Sequence, residues 1–124
     1  NMVLGATMIA TCEAFALAEK LGLDAERFFE IASKSSGPRW RLPRYCPWPG
    51  PVPAAPSNRN YEGGFATAMM LKDLKLAQEA AAKAGAATPL GAQAEGLYAL
   101  FDRLGGGGKD FSAILELFRG RSPA

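Results

Sequence analysis

The opening of the chain is apolar almost all the way round a predicted helix. Large apolar residues and small residues alternate from Met2 onwards, and the only charged residues among the first twenty are Glu13, Glu19 and Lys20. A helix without a polar face is a buried one, covered within its domain or by another subunit. The three charges are costly in a bilayer and wrong for a signal peptide, so we expect a core helix that Gly22 ends.

A second and a third helix follow. Asp24 is a good N-cap for the second helix, which Gly37 and Pro38 end. The apolar residues expected to pack inward from this helix are Phe28, Phe29, Ile31 and Ala32. The third helix is predicted from about residue 65 to 84, where Gly85 closes it.

The last part of the chain predicts two more helices. Thr88 and Pro89 provide an N-cap and a proline at the first helical position. The stripe of the fourth helix contains Leu90, Ala94, Leu97, Tyr98, Phe101 and Leu104. Glycines 105–108 are interpreted as a flexible joint, and Asp110 caps a short final helix. No segment alternates with period two, so the predicted fold is all-α with about five helices.

Prolines concentrate between residues 38 and 56, where seven of the nine occur. This density disfavours helix or central strand and predicts a long loop. The loop contains Trp40, Leu42, Tyr45 and Trp48, which a solvated linker would not need. We therefore expect an ordered loop packed on the domain. Trp40 and Tyr45 anchor it or, through their polar ends, line a pocket.

Composition excludes several classes of chemistry. The 124 residues suffice for one domain, with 48% hydrophobic and 21% charged residues. There is no histidine, which removes histidine-based catalysis and the usual catalytic zinc sites. Cys12 and Cys46 match no metal-ligand spacing, and a disulfide between them is the less favoured alternative to free cytosolic thiols. A net charge of +2 gives no reason to expect nucleic acid, and neither a membrane nor a metal is expected.

The third helix carries charged residues on two sides. Lys72 repeats with Lys75, Glu79 and Lys83, a pattern that a solvated face explains on spacing alone. Asp73 is different, because its neighbours at one turn are Met69, Met70, Leu76 and Ala77. A carboxylate on an apolar side needs hydrogen-bond partners. Asp73 is either a structural tie to the proline-rich loop or part of a site.

Several motifs taken together resemble a known family. They are Ser35-Ser36-Gly37, Trp40, Tyr45-Cys46-Pro47, Pro49-Gly50-Pro51-Val52-Pro53, Asn60-Tyr61, Gly64-Phe65 and the run Met70-Leu71-Lys72-Asp73-Leu74-Lys75-Leu76-Ala77. Over essentially all 124 residues, the chain resembles the C-terminal domain of the 3-hydroxyisobutyrate dehydrogenase branch of the β-hydroxyacid dehydrogenases. The proline-rich segment with the Lys-Asp-Leu helix is the most specific part of this resemblance.

The resemblance implies a domain organisation. Residues 1–124 would be a helical substrate and dimerisation domain of the 6-phosphogluconate dehydrogenase-like type, and the N-terminal Rossmann domain that binds most of the NAD would be absent. The family carries its catalytic lysine four residues before an asparagine, and Asn1 matches that asparagine. The lysine would therefore lie just before residue 1. The helical pattern is already running at Met2 without a start methionine, so we expect a piece of a longer protein.

The resemblance also implies roles for individual residues. Asn1 would help to hold the substrate at the catalytic centre, and Lys72 would contact the NAD cofactor. Trp40, Tyr45, Phe65 and Asp73 would wall or support the substrate pocket.

The implied reaction is the NAD-dependent oxidation of 3-hydroxyisobutyrate to methylmalonate semialdehyde, in valine breakdown in the cytoplasm. Another hydroxy acid such as L-serine, 3-hydroxypropionate or tartronate semialdehyde is the close alternative. From a different class, the chain would be a helical dimerisation module with no chemistry of its own. The 124 residues alone are expected to be inactive and to associate as a homo-oligomer.

Overall fold

The described residues form five α-helices joined by turns and one long loop. The structure is a computed structural model that describes residues 1–35 and 43–123. The helices are α1 (Met2–Lys20), α2 (Ala25–Lys34), α3 (Thr67–Ala84), α4 (Pro89–Phe101) and the short α5 (Leu115–Phe118). Short 3-10 turns cover Pro56–Arg59 and Phe111–Ile114. The predicted all-α fold of about five helices is confirmed.

Helix α3 begins two residues later than the sequence pattern predicts. Phe65 and Ala66 are committed to a non-helical pairing, because Ala66 forms an antiparallel bridge with Asp110 and the Phe111 N–H donates to the Phe65 carbonyl at 2.7 Å. The far end of α3 agrees with the prediction. Gly85 adopts a left-handed φ of 68°, and its N–H caps the helix.

Helix α1 is the centre of the domain, since it contacts α2, α3, α4 and α5. Met8, Cys12 and Phe15 bury their side chains in the core. The other helices of this chain do not cover α1 on all sides, because Val3 is 63% and Leu17 60% exposed; cover by another subunit stays a prediction. The other helices cover one side of α1 and leave an apolar strip along the opposite side.

The length and apolar composition of α1 would also suffice for a helix that crosses a membrane. Length and composition are weak evidence, because core helices of soluble proteins share both properties.

Three residues predicted to pack inward lie outside the core. Ile31 is 70% and Leu90 69% exposed, and Leu104 is also exposed. Helix α2 packs mainly on α1, so only a narrow stripe of it is covered. Leu104 leaves the α4 stripe because that helix ends at Phe101, and a wider π-type turn over Asp102–Gly106 changes the register.

The glycine run after α4 is a close-packed connection rather than a flexible joint. Gly106 is buried against Phe101, and a Cβ at that position would lie 2.4 Å from the aromatic ring. The Gly107 carbonyl accepts a hydrogen bond from the Ala68 N–H at 3.0 Å. Gly106 and Gly107 therefore let the chain pass tightly between the end of α4 and the start of α3, whereas a Cβ on Gly105 or Gly108 would meet nothing within 4 Å.

The described part of the proline-rich loop packs on the domain, as predicted. Cys46 is buried, and the Tyr61 hydroxyl donates to the Pro47 carbonyl at 2.7 Å. Trp48 stacks on Phe15 with ring centroids 5.9 Å apart. The loop is thus held by polar contacts to its own backbone and by aromatic contacts to α1.

Candidate active site

Asn1 and Asp73 meet where the start of α1 crosses the middle of α3. The Asn1 side-chain Nδ2 donates to Asp73 Oδ2 at 2.6 Å. This contact depends on a close approach of the two helices at Gly5, one turn along α1. A Cβ on Gly5 would lie 3.2 Å from Met70 Sδ and 3.4 Å from Leu74 Cδ2. Because Gly5 has no side chain, α1 comes close enough to α3 for Asn1 to reach the Asp73 carboxylate.

This hydrogen bond gives the Asp73 carboxylate a partner, which a carboxylate among apolar neighbours needs. Asp73 is half-buried, and its carboxylate accepts a hydrogen bond from the Asn1 side chain; no hydrogen bond joins it to the described part of the proline-rich loop, residues 43–56. Asn1 is exposed, and its amide has a second N–H and a carbonyl oxygen beyond the one N–H that binds Asp73. An amide held in this way can donate to, and accept from, a hydroxyl or carboxylate group.

Lys72 lies beside Asp73 on α3 and opens onto a different surface. It lines an open groove of about 340 Å³ with Ala68, Leu71, Lys75, Leu76 and Glu79. Consecutive residues point about 100° apart around a helix, so Lys72 and Asp73 face two neighbouring sides of α3. The groove combines two ammonium groups with an apolar floor.

A second group of contacts surrounds Asp110. The Tyr45 hydroxyl donates to Asp110 Oδ1, and the Phe65 N–H donates to the same oxygen at 2.7 Å. The Tyr45 and Phe65 rings pack on Phe111, with centroids 5.5 Å and 5.8 Å away. The structure therefore joins Tyr45 to Phe65 through a residue that the sequence identified only as a helix cap.

Asp110 does cap the turn as predicted, since its side chain accepts from the Ser112 N–H at 3.1 Å. Its connection to Tyr45 and Phe65 was missed, because these residues lie 65 and 45 positions away in the sequence. A residual signal was present in Gly64, which has φ +68° and would place a Cβ 2.2 Å from Asp110 Oδ1. Only glycine satisfies both the backbone conformation and the space at this position.

The site residues thus form two contact pairs connected by α3. Asn1 pairs with Asp73, and Tyr45 joins Phe65 through Asp110. Phe65 precedes α3, and Asp73 lies in its middle, roughly 9 Å beyond the first helical residue, Thr67, at the helical rise. Trp40, the remaining predicted pocket residue, lies outside the described residues.

The two cysteines are free and buried, and neither is suited to nucleophilic chemistry. Burial raises the pKa of Cys12 well above its ordinary value, and burial raises the pKa of Cys46 to about 11. Both thiols therefore stay protonated near neutral pH. Within residues 1–35 and 43–123, no group of three or more His, Cys, Asp or Glu side chains is arranged to hold a metal ion.

The sequence matches a known protein family. A family model described as NAD-binding of NADP-dependent 3-hydroxyisobutyrate dehydrogenase matches residues 1–118. The chain belongs to this family.

Relatives in the family are similar over the whole chain. A probable 3-hydroxyisobutyrate dehydrogenase of Mycobacterium tuberculosis is 46% identical over 100% of this chain and 42% of its own length. An NAD-dependent L-serine dehydrogenase of Pseudomonas aeruginosa is 46% identical over 95% of this chain and 40% of its own length. A solved structure of the M. tuberculosis 3-hydroxyisobutyrate dehydrogenase with L-serine has a TM-score of 0.91 and 46% identity, covering 96% of this chain and 40% of that one.

The chain therefore spans about two fifths of the length of these relatives. Its fold is that of a 3-hydroxyisobutyrate dehydrogenase domain. The family binds NAD, and the chemistry of the α3 groove fits part of such a cofactor. The groove is lined by the ammonium groups of Lys72 and Lys75, the carboxylate of Glu79 and the apolar side chains of Leu71 and Leu76.

Proposed function

We propose that the protein containing this chain is an NAD-dependent dehydrogenase that oxidises 3-hydroxyisobutyrate to methylmalonate semialdehyde, a step of valine breakdown in the cytoplasm. The chain would supply the helical C-terminal domain, and a separate N-terminal domain would bind most of the cofactor. Family membership and relatives 46% identical over nearly the whole chain support the proposal.

One observation carries the proposal to the level of residues: the Asn1 amide at the start of α1 binds Asp73 of α3, next to a groove on α3 lined by Lys72, Lys75 and Glu79. The Asp73 carboxylate accepts a hydrogen bond from the Asn1 amide. Lys72, the residue before Asp73, lies on a neighbouring face of α3 and lines the groove. A dehydrogenase needs its alcohol positioned against a nicotinamide ring, and two neighbouring faces of one helix can hold the two reactants.

Each residue then has a defined task. When bound, nicotinamide supplies an acceptor for the hydride of the substrate's carbinol carbon. Asn1 hydrogen-bonds a polar group of the hydroxy acid, and Asp73 fixes the orientation of the Asn1 amide. Lys72 holds the cofactor from this side of the cleft. The hydroxyl proton goes to the lysine that the resembled family carries one turn before the position of Asn1.

Tyr45 and Phe65 form the wall of the substrate pocket in this proposal. Trp40 lies outside the described residues and is assigned to the pocket by the family resemblance alone. The Phe65 ring, which packs on the buried Phe111 ring, presents apolar surface that suits the methyl group of 3-hydroxyisobutyrate. The Tyr45 hydroxyl and the backbone around it provide the polar part of the wall.

L-serine is the second candidate substrate. It shares the hydroxymethyl and carboxylate groups of 3-hydroxyisobutyrate and carries an ammonium in place of the methyl group. A relative acting on L-serine is as similar as the 3-hydroxyisobutyrate dehydrogenases, and the similar solved structure includes L-serine.

The test is a substrate panel on the intact protein from which this chain comes. The panel comprises 3-hydroxyisobutyrate, L-serine and 3-hydroxypropionate in the oxidative direction, each with NAD and with NADP. Tartronate semialdehyde is added in the reductive direction, with NADH and with NADPH. We expect the largest kcat/KM with 3-hydroxyisobutyrate and NAD. A larger value for L-serine would move the assignment to the second candidate. Absence of turnover with all four compounds would favour a non-catalytic dimerisation module.

The exposed strip of α1 supports a second part of the proposal, association into a homo-oligomer. Val3 and Leu17 on α1 and Leu90 on α4 expose large apolar side chains. Ala6, Ala10 and Leu97 line a groove of about 160 Å³ between these helices. Contiguous apolar surface of this kind marks an interface. Sedimentation of the intact protein should show an oligomer, and a monomer across the accessible concentration range would contradict it.

A further inference from the structure

The Asp110 carboxylate is the most enclosed charged group among the described residues. Asp110 is 0% exposed and accepts four hydrogen bonds, from the Tyr45 hydroxyl, the Phe65 N–H, the Ser112 N–H and the Ser112 hydroxyl. Burying a carboxylate is costly unless donors replace its hydration. Four donors on two oxygens saturate most of its acceptor capacity, so the group is held rigidly.

The two carboxylate oxygens have different partners. Oδ2 accepts both bonds from Ser112, which lies in the same turn and is buried. Oδ1 accepts from Tyr45, on the proline-rich loop, and from Phe65, just before α3. One oxygen therefore caps a local turn, while the other fastens two distant segments to each other.

The surrounding backbone fixes Asp110 itself. Its N–H donates to the Tyr61 carbonyl at 2.8 Å, and the Thr67 N–H donates to the Lys109 carbonyl at 2.8 Å. Gly64 lies against the contact, since a Cβ there would be 2.8 Å from the Tyr45 hydroxyl. The Tyr45 hydroxyl thus lies in a closely packed setting in which its position depends on the carboxylate.

We infer that Asp110 is a positioning residue for the hydroxy-acid substrate: its Oδ1 holds the Tyr45 hydroxyl in register with Phe65, and so sets the shape of the pocket wall. This inference rests on the proposed function, because it takes Tyr45 and Phe65 as the wall. Asp110 acts through Tyr45 and does not itself contact the reacting atoms.

A double-mutant cycle on the intact protein tests the inference. Asp110→Asn weakens the acceptor at Oδ1, and Tyr45→Phe removes the donor while keeping the ring. We expect Asp110→Asn to raise the KM for the hydroxy acid by about tenfold, the scale of one hydrogen bond to a charged group, with the KM for NAD changed less than about twofold. In the Tyr45→Phe background the same change should have less than about a twofold effect, because the contact is already gone.

Ser112→Ala is the matched control, since it removes a hydroxyl donor from Oδ2 and leaves Tyr45 and Phe65 in place. It should lower the melting temperature while leaving the substrate KM unchanged. If Asp110→Asn does not fold, Tyr45→Phe compared with Ser112→Ala decides, because only the former should raise the substrate KM.

Additive effects of Asp110→Asn and Tyr45→Phe on the substrate KM would overturn the inference, as would equal rises in the KM for substrate and for NAD. A substrate KM that Tyr45→Phe leaves unchanged would also overturn it. Wild-type protein that turns over none of the hydroxy acids would instead overturn the proposed function, and the inference with it.

Discussion

Asp73 and Asp110 both accept a hydrogen bond from a side chain of the proposed site, but their surroundings differ. Asp73 is half-buried and bonds the exposed Asn1 amide at 2.6 Å. Asp110 is fully enclosed and bonds backbone and side-chain donors from three segments. The free energy of a buried carboxylate depends on all its donors together, whereas a partly solvated carboxylate can exchange its partner for water. The free energy of unfolding should therefore depend more strongly on Asp110 than on Asp73, which serves to orient the Asn1 amide.

Replacing each carboxylate by alanine gives the largest expected difference. Asp110→Ala should reduce the free energy of unfolding by about 3 kcal/mol or more, because several buried donors lose their acceptor. Asp73→Ala should cost only about 1 kcal/mol, since its partner Asn1 is exposed to water. Denaturant unfolding of the two variants measures both values. Equal losses would contradict the division between the two carboxylates.

Gly64→Ala sharpens the account of the Asp110 surroundings. Gly64 and Gly85 have the same φ of +68°, but a Cβ on Gly64 would meet Asp110 Oδ1 at 2.2 Å while Gly85 has open space. Gly85→Ala should cost about 1 kcal/mol from the backbone alone, and Gly64→Ala about 2 kcal/mol more from the displaced carboxylate. Thermal unfolding compares them. Similar melting temperatures of the two variants would show that the Asp110 side chain can move away from a Cβ at position 64 without loss of stability.

Lys72→Ala separates function from stability on α3. Lys72 is exposed, so its loss should change the free energy of unfolding by less than about 0.5 kcal/mol. In the intact protein kcat/KM with NAD should fall by about tenfold or more, equivalent to at least about 1.4 kcal/mol. Lys83→Ala, at the exposed end of the same helix, is the control and should change neither quantity. An unchanged kcat/KM for Lys72→Ala would restore the solvated-face interpretation.

The smallest effect concerns the contact between Glu19 and the guanidinium of Arg119, with Arg119 Nη2 2.7 Å from Glu19 Oε2. The hydrogen bond from Arg119 lowers the pKa of Glu19 below its ordinary value of 4.5. A folded value below the unfolded one means that the contact stabilises the fold above the unfolded value and is lost as the pH falls through the folded value.

The measurement is the gap in melting temperature between wild type and Glu19→Gln. The gap should be present at about pH 7 and close towards about pH 3. Glu13→Gln, at an exposed glutamate of the same helix, should show little gap at either pH. A difference in melting temperature between wild type and Glu19→Gln that widened as the pH fell would contradict the lowered pKa of Glu19 in the folded protein.

Local signals in the sequence were sufficient for the fold. The glycine after α3 and the proline that begins α4 mark helix ends through local backbone conformation, and both boundaries agree with the structure. The Thr88 hydroxyl does not cap α4 but donates to Gln78 Oε1 at 3.1 Å. The start of α3 was placed too early because Phe65 and Ala66 have helix-compatible side chains. Their pairing with residues near Asp110 is a tertiary contact, which no local pattern contains.

The site was accessible from the sequence only in part. The family resemblance supplied Asn1 and Asp73 as site residues, but their hydrogen bond joins positions 72 apart. The spacing of Asp73 among apolar neighbours indicated the need for a partner, without identifying it. Asp110 has a local role as a cap that accounts for its sequence context, and this role concealed the long-range one.

In the proposed function, Asp73 orients the Asn1 amide for turnover of a small hydroxy acid. The most direct measurement is kcat/KM with 3-hydroxyisobutyrate and NAD for the Asp73→Ala variant of the intact protein, on samples whose circular dichroism matches the wild type. We expect kcat/KM to fall by at least about tenfold, although the free energy of unfolding decreases by only about 1 kcal/mol. A kcat/KM within about twofold of the wild type would contradict the claim, because loss of the Asn1 contact would then have no consequence for catalysis.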